Sequence, residues 1–424
     1  MIAGLMVGMF LFLMFAGFPI AYAMGLSAVI ALAVEGQVPL LLLAQQFYAS
    51  LDNFSLLAVP LFILAGELMN VGGITERLVG FTGALLGHIR GGLAHANILT
   101  NMFMAAISGS AAADAAAIGS MMIPAMKRDG YRAEFAVAVT SSAALMGPII
   151  PPSIVAVIYG SITNVSIGGL LLAGAVPGVL AGFGMMVVAY FLSARYGGKP
   201  SRRATWGEFW LACWRVIPAA IMPAIILGGI ISGAFTPTEA AGIAAAYGFC
   251  YGLMARKFTP KVLYRLFYSA AGVSASVLVT LAGAGLFGWV LARAGTAEAA
   301  LHALAAVTDN PQVALVIILL FLLFLGGLVE TVPAMILSVP VLQPIAKSFH
   351  YDPVHFGCLV LMTLVLGAVM PPTGIVAMIC CRIGGVTFAS TLKLLAPFVL
   401  WWFALILVVA FVPQIALWLP SVML

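Results

Sequence analysis

The chain has 424 residues, 64% of them hydrophobic and 7% charged, with a formal net charge of +5. Soluble domains carry about 25% charged residues, so this is a polytopic membrane protein with no room for a soluble domain of useful size. The excess Lys and Arg lie in loops, where they set orientation across a bilayer and are not a nucleic-acid footprint.

A bilayer span needs about 20 apolar residues. The first run, Met1 to Val34, has no basic head and no small-residue cleavage site, so it reads as one membrane helix over 4–33 and not as a cleaved leader. Single spans follow at 54–72, 169–193, 212–233, 239–255, 264–294 and 390–419. Three further regions, 93–126, 133–166 and 312–380, are apolar but interrupted by Gly, Pro and Ser. The basic clusters are His88 to Arg90; Lys127, Arg128 and Arg132; Arg195, Lys199, Arg202 and Arg203; and Arg256, Lys257, Lys261 and Arg265. The positive-inside rule makes all four cytoplasmic.

Region 93–126 therefore starts and ends on the cytoplasmic side, yet is too short for two full spans. It reads as a re-entrant hairpin whose tip is Ser108-Gly109-Ser110. Region 133–166 then crosses outward. The segment 295–312 has Glu298, His302 and Asp309 but no Lys or Arg, and 346–355 has only Lys347. Region 312–346 is accordingly a second hairpin, opening from outside, with its break over Gly326 to Thr331; region 353–380 crosses back.

The two crossing segments each contain a proline pair, Pro151-Pro152 and Pro371-Pro372, 220 residues apart. At the same offset Pro124 meets Pro344, Tyr131 meets Tyr351 and Pro177 meets Pro397. A second match, Pro60 to Glu76 against Pro223 to Glu239, has an offset of 163, which leaves 57 extra residues in the second copy. Two added crossings fit that length and preserve an inversion. The organisation is an N-terminal helix and external connection (1–53), a first repeat (54–193), a cytoplasmic loop (194–211) and a second repeat (212–419). The fold class is an all-α polytopic membrane protein with inverted-topology repeats, two re-entrant hairpins and two broken helices. Broken helices in corresponding positions of two halves are the sequence mark of a secondary transporter.

Proline removes a backbone donor and frees the carbonyl four residues earlier. Inside a bilayer such carbonyls need a partner, and Na⁺, a hard cation, prefers oxygen. Each proline pair is followed by a hydroxyl, Ser153 or Thr373, and each hairpin tip supplies more: Ser108 and Ser110 in one, Thr331 in the other. Helices that start at the tips aim positive dipole ends at the space between them, which suits an anion. Asp114 and Glu330 are each either a functional acid or a hydrogen-bonding group that holds a tip. Glu67 reads as half of a buried pair or a subunit contact, and Glu76 and Glu239, each after a Thr, as helix caps. The five cysteines, with no CxxC spacing, read as packing residues. Ala106-Ile107-Ser108-Gly109 is one residue from an intramembrane serine-protease motif, but no His lies at matching depth.

Several stretches together resemble the large membrane subunit of tripartite ATP-independent periplasmic (TRAP) transporters. They are Ser55 to Phe62, Leu64 to Asn70, Ser108 to Asp114, Pro148 to Ser153 and Phe235 to Ala240. The resemblance covers essentially the whole chain. It implies Na⁺-driven uptake of a small organic acid across the bacterial inner membrane by an elevator motion. It also implies two partners, a periplasmic substrate-binding protein and a separate small membrane subunit of about four helices. The implied fold is similar to that of divalent-anion/sodium symporters. It places one sodium site at Ser108, Gly109, Ser110, Gly147, Pro148 and Pro151, and a second at Gly327, Thr331, Gly367, Met370 and Thr373, for two or more coupling ions. Substrate falls to Ser110, Asp114, Ser153, Glu330 and Thr373. Similar proteins carry sialic acids, dicarboxylates, keto acids and sugar acids. A stand-alone sodium/anion symporter is the alternative, and a serine protease the remote one.

Overall fold

The computed structural model describes residues 2–198 and 202–424; Met1 and 199–201, Lys199 of the third basic cluster included, lie outside the described residues. All regular structure among them is helical. The N-terminal helices are α1 (Ile2–Phe15), α2 (Ile20–Glu35) and α3 (Leu40–Ala49). The predicted single span over 4–33 is thus two helices packed on each other. The cause is local: Gly17 takes φ 88°, open to a residue without Cβ. Pro19, at the N-cap of α2 with ψ 138°, is extended, so α2 starts afresh after it.

After a short 3₁₀ turn, Phe54–Leu57, come α4 (Ala58–Val71), α5 (Ile74–Leu86), α6 (Gly92–Ser108), α7 (Ala111–Arg128), α8 (Ala133–Ala144), α9 (Ile154–Thr163) and α10 (Ile167–Tyr196). Then follow α11 (Trp206–Ile231), α12 (Pro237–Met254), α13 (Pro260–Arg293), α14 (Thr296–Ala305), α15 (Pro311–Leu328), α16 (Thr331–Ser348), α17 (Pro353–Gly367), α18 (Ile375–Gly384), α19 (Phe388–Phe411) and α20 (Gln414–Met423). The loop expected over 194–211 is shorter, because Thr205 and Glu208 form a capping box that starts α11 at Trp206. The expected span over 390–419 stops at Phe411, where Pro413 separates α19 from α20. Glu239 does cap α12, but with Thr236 and not the adjacent Thr238, whose hydroxyl donates to the Phe54 carbonyl at 3.2 Å. Glu76 caps nothing: α5 starts after Gly73 without a side-chain cap, and the Thr75 hydroxyl donates to Asn70 Oδ1 at 2.7 Å. Six helical segments among the described residues are long and apolar enough to span a bilayer, the longest being α13 with 34 residues, about 51 Å at 1.5 Å per residue.

Two sets of helices pack internally. In one, α4 lies on α12 and α13, α11 on α5 and α12, and α13 on α2 and α3. In the other, α6, α7, α8, α10, α18 and α19 surround a core that includes the fully buried Phe135, Phe398 and Trp402, and α15 to α17 join it through α17 on α10 and α19. The sets meet where α4 touches α6 and α9, where α13 touches α16, and where α5 lies along α6. In that last contact the Thr82 and Thr100 hydroxyls, both buried, are 2.7 Å apart.

Candidate functional site

α6 and α7 are joined by only Gly109 and Ser110. Gly109 takes φ 64° and its N–H returns to the Ala105 carbonyl, closing α6. Ser110 is the N-cap of α7, its Oγ accepting from Ala113 N at 3.4 Å. Below this link the Ser108 hydroxyl donates to Asp114 Oδ1 at 2.5 Å, and Ser110 N donates to Ser108 Oγ at 3.3 Å. Asp114 is 0% exposed, and its Oδ2 has no partner among the described residues.

The tip rests on the break between α8 and α9. A Cβ at Gly147 would stand 2.7 Å from Asp114 Oδ2 and 3.0 Å from the Ser110 carbonyl carbon; one at Gly109 would stand 2.8 Å from the Pro152 carbonyl oxygen. Two glycines therefore allow the backbone approach that brings tip and break together. Within the break the Pro151-Pro152 peptide is cis. Ser153 caps α9 by accepting from Ala156 N at 3.1 Å, while its hydroxyl donates to the Pro148 carbonyl. That carbonyl has found a protein partner.

The second tip, between α15 and α16, rests on the break between α17 and α18. Gly367 lies so close to Gly326 and Gly327 that no side chain fits, and a Cβ at Gly327 would be 3.0 Å from the Pro371 carbonyl oxygen. Both the backbone N–H and the hydroxyl of Thr373 donate to the Gly327 carbonyl, at 3.1 and 2.8 Å. The Pro371-Pro372 peptide is also cis. No side chain caps α16, whose N-cap is Glu330, or α18, whose N-cap is Gly374 with φ 46°.

Both tips and both breaks border one cavity of about 360 Å³, within the range of small-molecule sites. Of the expected residues, Ser108, Gly109, Ser110, Pro148, Glu330, Thr331 and Thr373 line it. The others stand behind the wall. Asp114 lies beneath the first tip, Ser153 caps α9, Gly147, Gly327 and Gly367 are at the tip contacts, and Pro151 and Met370 lie along the breaks. Four helices begin at this cavity, since the first residues of α7, α9, α16 and α18 all line it. A helix N-terminus carries roughly half a positive charge and free N–H groups, so these four ends bring donors and positive potential to a wall that also holds the carboxylates Glu67 and Glu330. None of its lining residues among the described ones is Lys, Arg or His.

The remaining wall comes from α13, through Val273 and Val277, and from α4, through Ile63, Gly66, Glu67 and Asn70. Glu67 therefore lines the cavity and has no ion-pair partner among the described residues, so of the two expectations for it, a buried pair or a subunit contact, the buried pair is not formed within them. Its signal was present in the sequence: 63, 66, 67 and 70 fall at i, i+3, i+4 and i+7, one face of a helix.

Residues 7–415 match the family model described as "Tripartite ATP-independent periplasmic transporter, DctM component". The chain is 36% identical, over 97% of both sequences, to the sialic acid TRAP transporter large permease protein SiaM of Vibrio cholerae. It is 34% identical, over 94% of both, to the C4-dicarboxylate TRAP transporter large permease protein DctM of Pseudomonas aeruginosa. Its fold is similar to that of the Alcanivorax borkumensis YdaH transporter, with a TM-score of 0.58 at 15% identity, covering 89% of this chain and 87% of that one. The relatives are permeases and not enzymes, and the apolar helices make this a multi-pass inner-membrane protein. The chain belongs to the DctM family, the large permease component of TRAP transporters.

Proposed function

We propose that this permease takes up a small organic anion driven by a Na⁺ gradient. The observation that carries the reading is the meeting of four helix N-termini on one cavity whose wall, among the described residues, has no cationic side chain. Such ends favour a carboxylate. The oxygen-rich surroundings of the tips fit Na⁺: the free Oδ2 of Asp114 is an orphaned acceptor beside Gly147, and the breaks supply further carbonyls. Ser108, Gly109, Ser110, Gly147, Pro148 and Pro151 would hold one ion, and Gly327, Thr331, Gly367, Met370 and Thr373 another. The bound ion supplies positive charge and fixes the tip against its break. The chain's own part is to hold the tips closed by the Ser108–Asp114 and Thr373–Gly327 hydrogen bonds.

On this reading α6–α7 and α15–α16 are re-entrant hairpins of two inverted repeats. They move with α8, α9, α17 and α18 as one body against α4, α11, α12 and α13, in an elevator motion. Alternating access needs two such states with different ion affinity. A periplasmic binding protein delivers the substrate, and a small membrane subunit completes the complex, as the names of the family and of its large permeases suggest. Those names span sialic acid and C4-dicarboxylates at 36% and 34% identity, a difference too small to choose between them. The test is uptake in proteoliposomes containing all three components. Uptake should collapse without the Na⁺ gradient; undiminished uptake overturns the coupling.

A further inference from the structure

The cavity wall carries two carboxylates, Glu67 on α4 and Glu330 at the start of α16, and the hydrogen-bonding groups of Asn70, Ser110, Thr331 and Thr373. Neither carboxylate is engaged by a side chain of opposite charge among the described residues. We propose that these two glutamates select the substrate class, a monocarboxylate rich in hydroxyl donors, against a dicarboxylate. This rests on the organic-anion reading above and narrows it.

The argument is one of donors and acceptors. Helix N-termini present N–H donors, so they take the acceptor end of a substrate, its carboxylate. An ionised glutamate only accepts, so whatever lies beside Glu67 and Glu330 must donate. Hydroxyl groups do. A second carboxylate does not: the helix ends take the first, and beside Glu67 or Glu330 a second adds like charge, with no Lys, Arg or His among the described wall residues to pair with it. Sites built around hydrogen-bonding groups reject analogues that leave those groups unpaired far more strongly than apolar pockets reject a missing methylene. Glu67 is the better placed discriminator, because on the proposed motion it belongs to the wall that stays still. The substrate passes it whatever the ions at the tips are doing.

The probes are sodium D-gluconate, a monocarboxylate with five hydroxyls that serves as a stand-in of the right chemistry; succinate; and the neutral polyol D-glucitol. Each is titrated at constant Na⁺ against the thermal unfolding of the reconstituted transporter in nanodiscs. Gluconate should half-saturate at a concentration at least about tenfold below that for succinate. Glu67→Gln, whose amide can donate, should shrink that preference to about threefold or less by admitting succinate; Glu330→Gln provides the same readout if the first variant does not fold. Succinate binding as well as gluconate to the native protein, or an unchanged ratio in a folded variant that binds both, overturns the proposal and leaves the anion reading standing. Glucitol binding as well as gluconate, or no stabilisation by either acid, overturns the anion reading itself.

Discussion

Removing the Ser108 hydroxyl tests the hydrogen bond that holds the first tip, and the cycle with Asp114 separates that bond from any contact of the hydroxyl with the ion. In Ser108→Ala the Asp114 carboxyl, 0% exposed, loses the donor 2.5 Å from Oδ1 while Oδ2 is already unpartnered. Stranding a buried polar group costs about 1–3 kcal/mol. The cost falls on the tip and not on the whole fold, because α7 keeps its Ser110 N-cap and its packing on α8 and α18. At about 2 kcal/mol, any equilibrium that requires the ordered tip shifts by roughly thirtyfold. The assay is a Na⁺ titration of thermal unfolding for the native protein, Ser108→Ala, Asp114→Asn and the double variant. The half-stabilising Na⁺ concentration should rise by about that factor in Ser108→Ala. The pair should also couple by about 1 kcal/mol or more, because the hydroxyl and the carboxyl act through one hydrogen bond. A folded Ser108→Ala whose sodium midpoint stays within about twofold of the native value, with additive behaviour in the cycle, refutes the reasoning.

Three further outcomes are expected. Gly147→Ala places a Cβ 2.7 Å from Asp114 Oδ2 and should cost about 1–3 kcal/mol by overpacking; thermal unfolding with and without Na⁺ should show a lower melting point and a smaller sodium increment. Thr373→Val removes the 2.8 Å hydrogen bond to the Gly327 carbonyl, worth about 0.5–1.5 kcal/mol, and should raise the Na⁺ needed for half-maximal uptake, with Thr373→Ser restoring it. Thr236→Ala deletes the exposed capping box of α12 and should cost about 0.5–2 kcal/mol while leaving the Na⁺ midpoint of uptake unchanged.

What the sequence made legible depended on how local the cause was. The breaks at 145–153 and 368–374 stand where the proline pairs stand: single prolines such as Pro124, Pro177 and Pro397 are carried inside α7, α10 and α19, whereas a pair removes two successive donors and interrupts the helix. The Ser108-Gly109-Ser110 turn was equally plain, since Gly closes one helix and Ser opens the next. The split of 4–33 was hidden because the apolar run continues through Gly17 and Pro19, and hydropathy does not register a reversal of direction. Pro413 was lost in the same way. That Glu67 lines the cavity was hidden for a different reason. Its helix face was readable, but which neighbour that face meets depends on how α4 sits against α6 and α13, a long-range fact. The same holds for the starts of α9 and α18. Each follows from its own break, but their convergence with α7 and α16 on one cavity exists only in three dimensions.

That convergence sets a charge balance which the sodium-coupled reading can be held to. Four helix N-termini at about half a charge each supply roughly +2 around the cavity. The ends of α6 and α15, which meet it at Ser108 and Gly326, take some of that back, and ionised Glu67 and Glu330 would offset the rest. The cavity alone then has little net attraction for an anion, and the bound Na⁺ ions make the difference. Coupling on this view is electrostatic: the anion binds well only after the cations are in place. Glu330→Gln removes one unit of the offset at the tip itself, where the carboxylate lines the cavity and caps nothing. The variant should bind anion at Na⁺ concentrations too low to support binding by the native protein, and uptake should run partly uncoupled from the gradient. Anion titrations at stepped Na⁺ measure this directly. If Glu330→Gln binds anion with the native sodium dependence, the helix ends and glutamates do not set the balance, and coupling must come from the geometry of the tips alone.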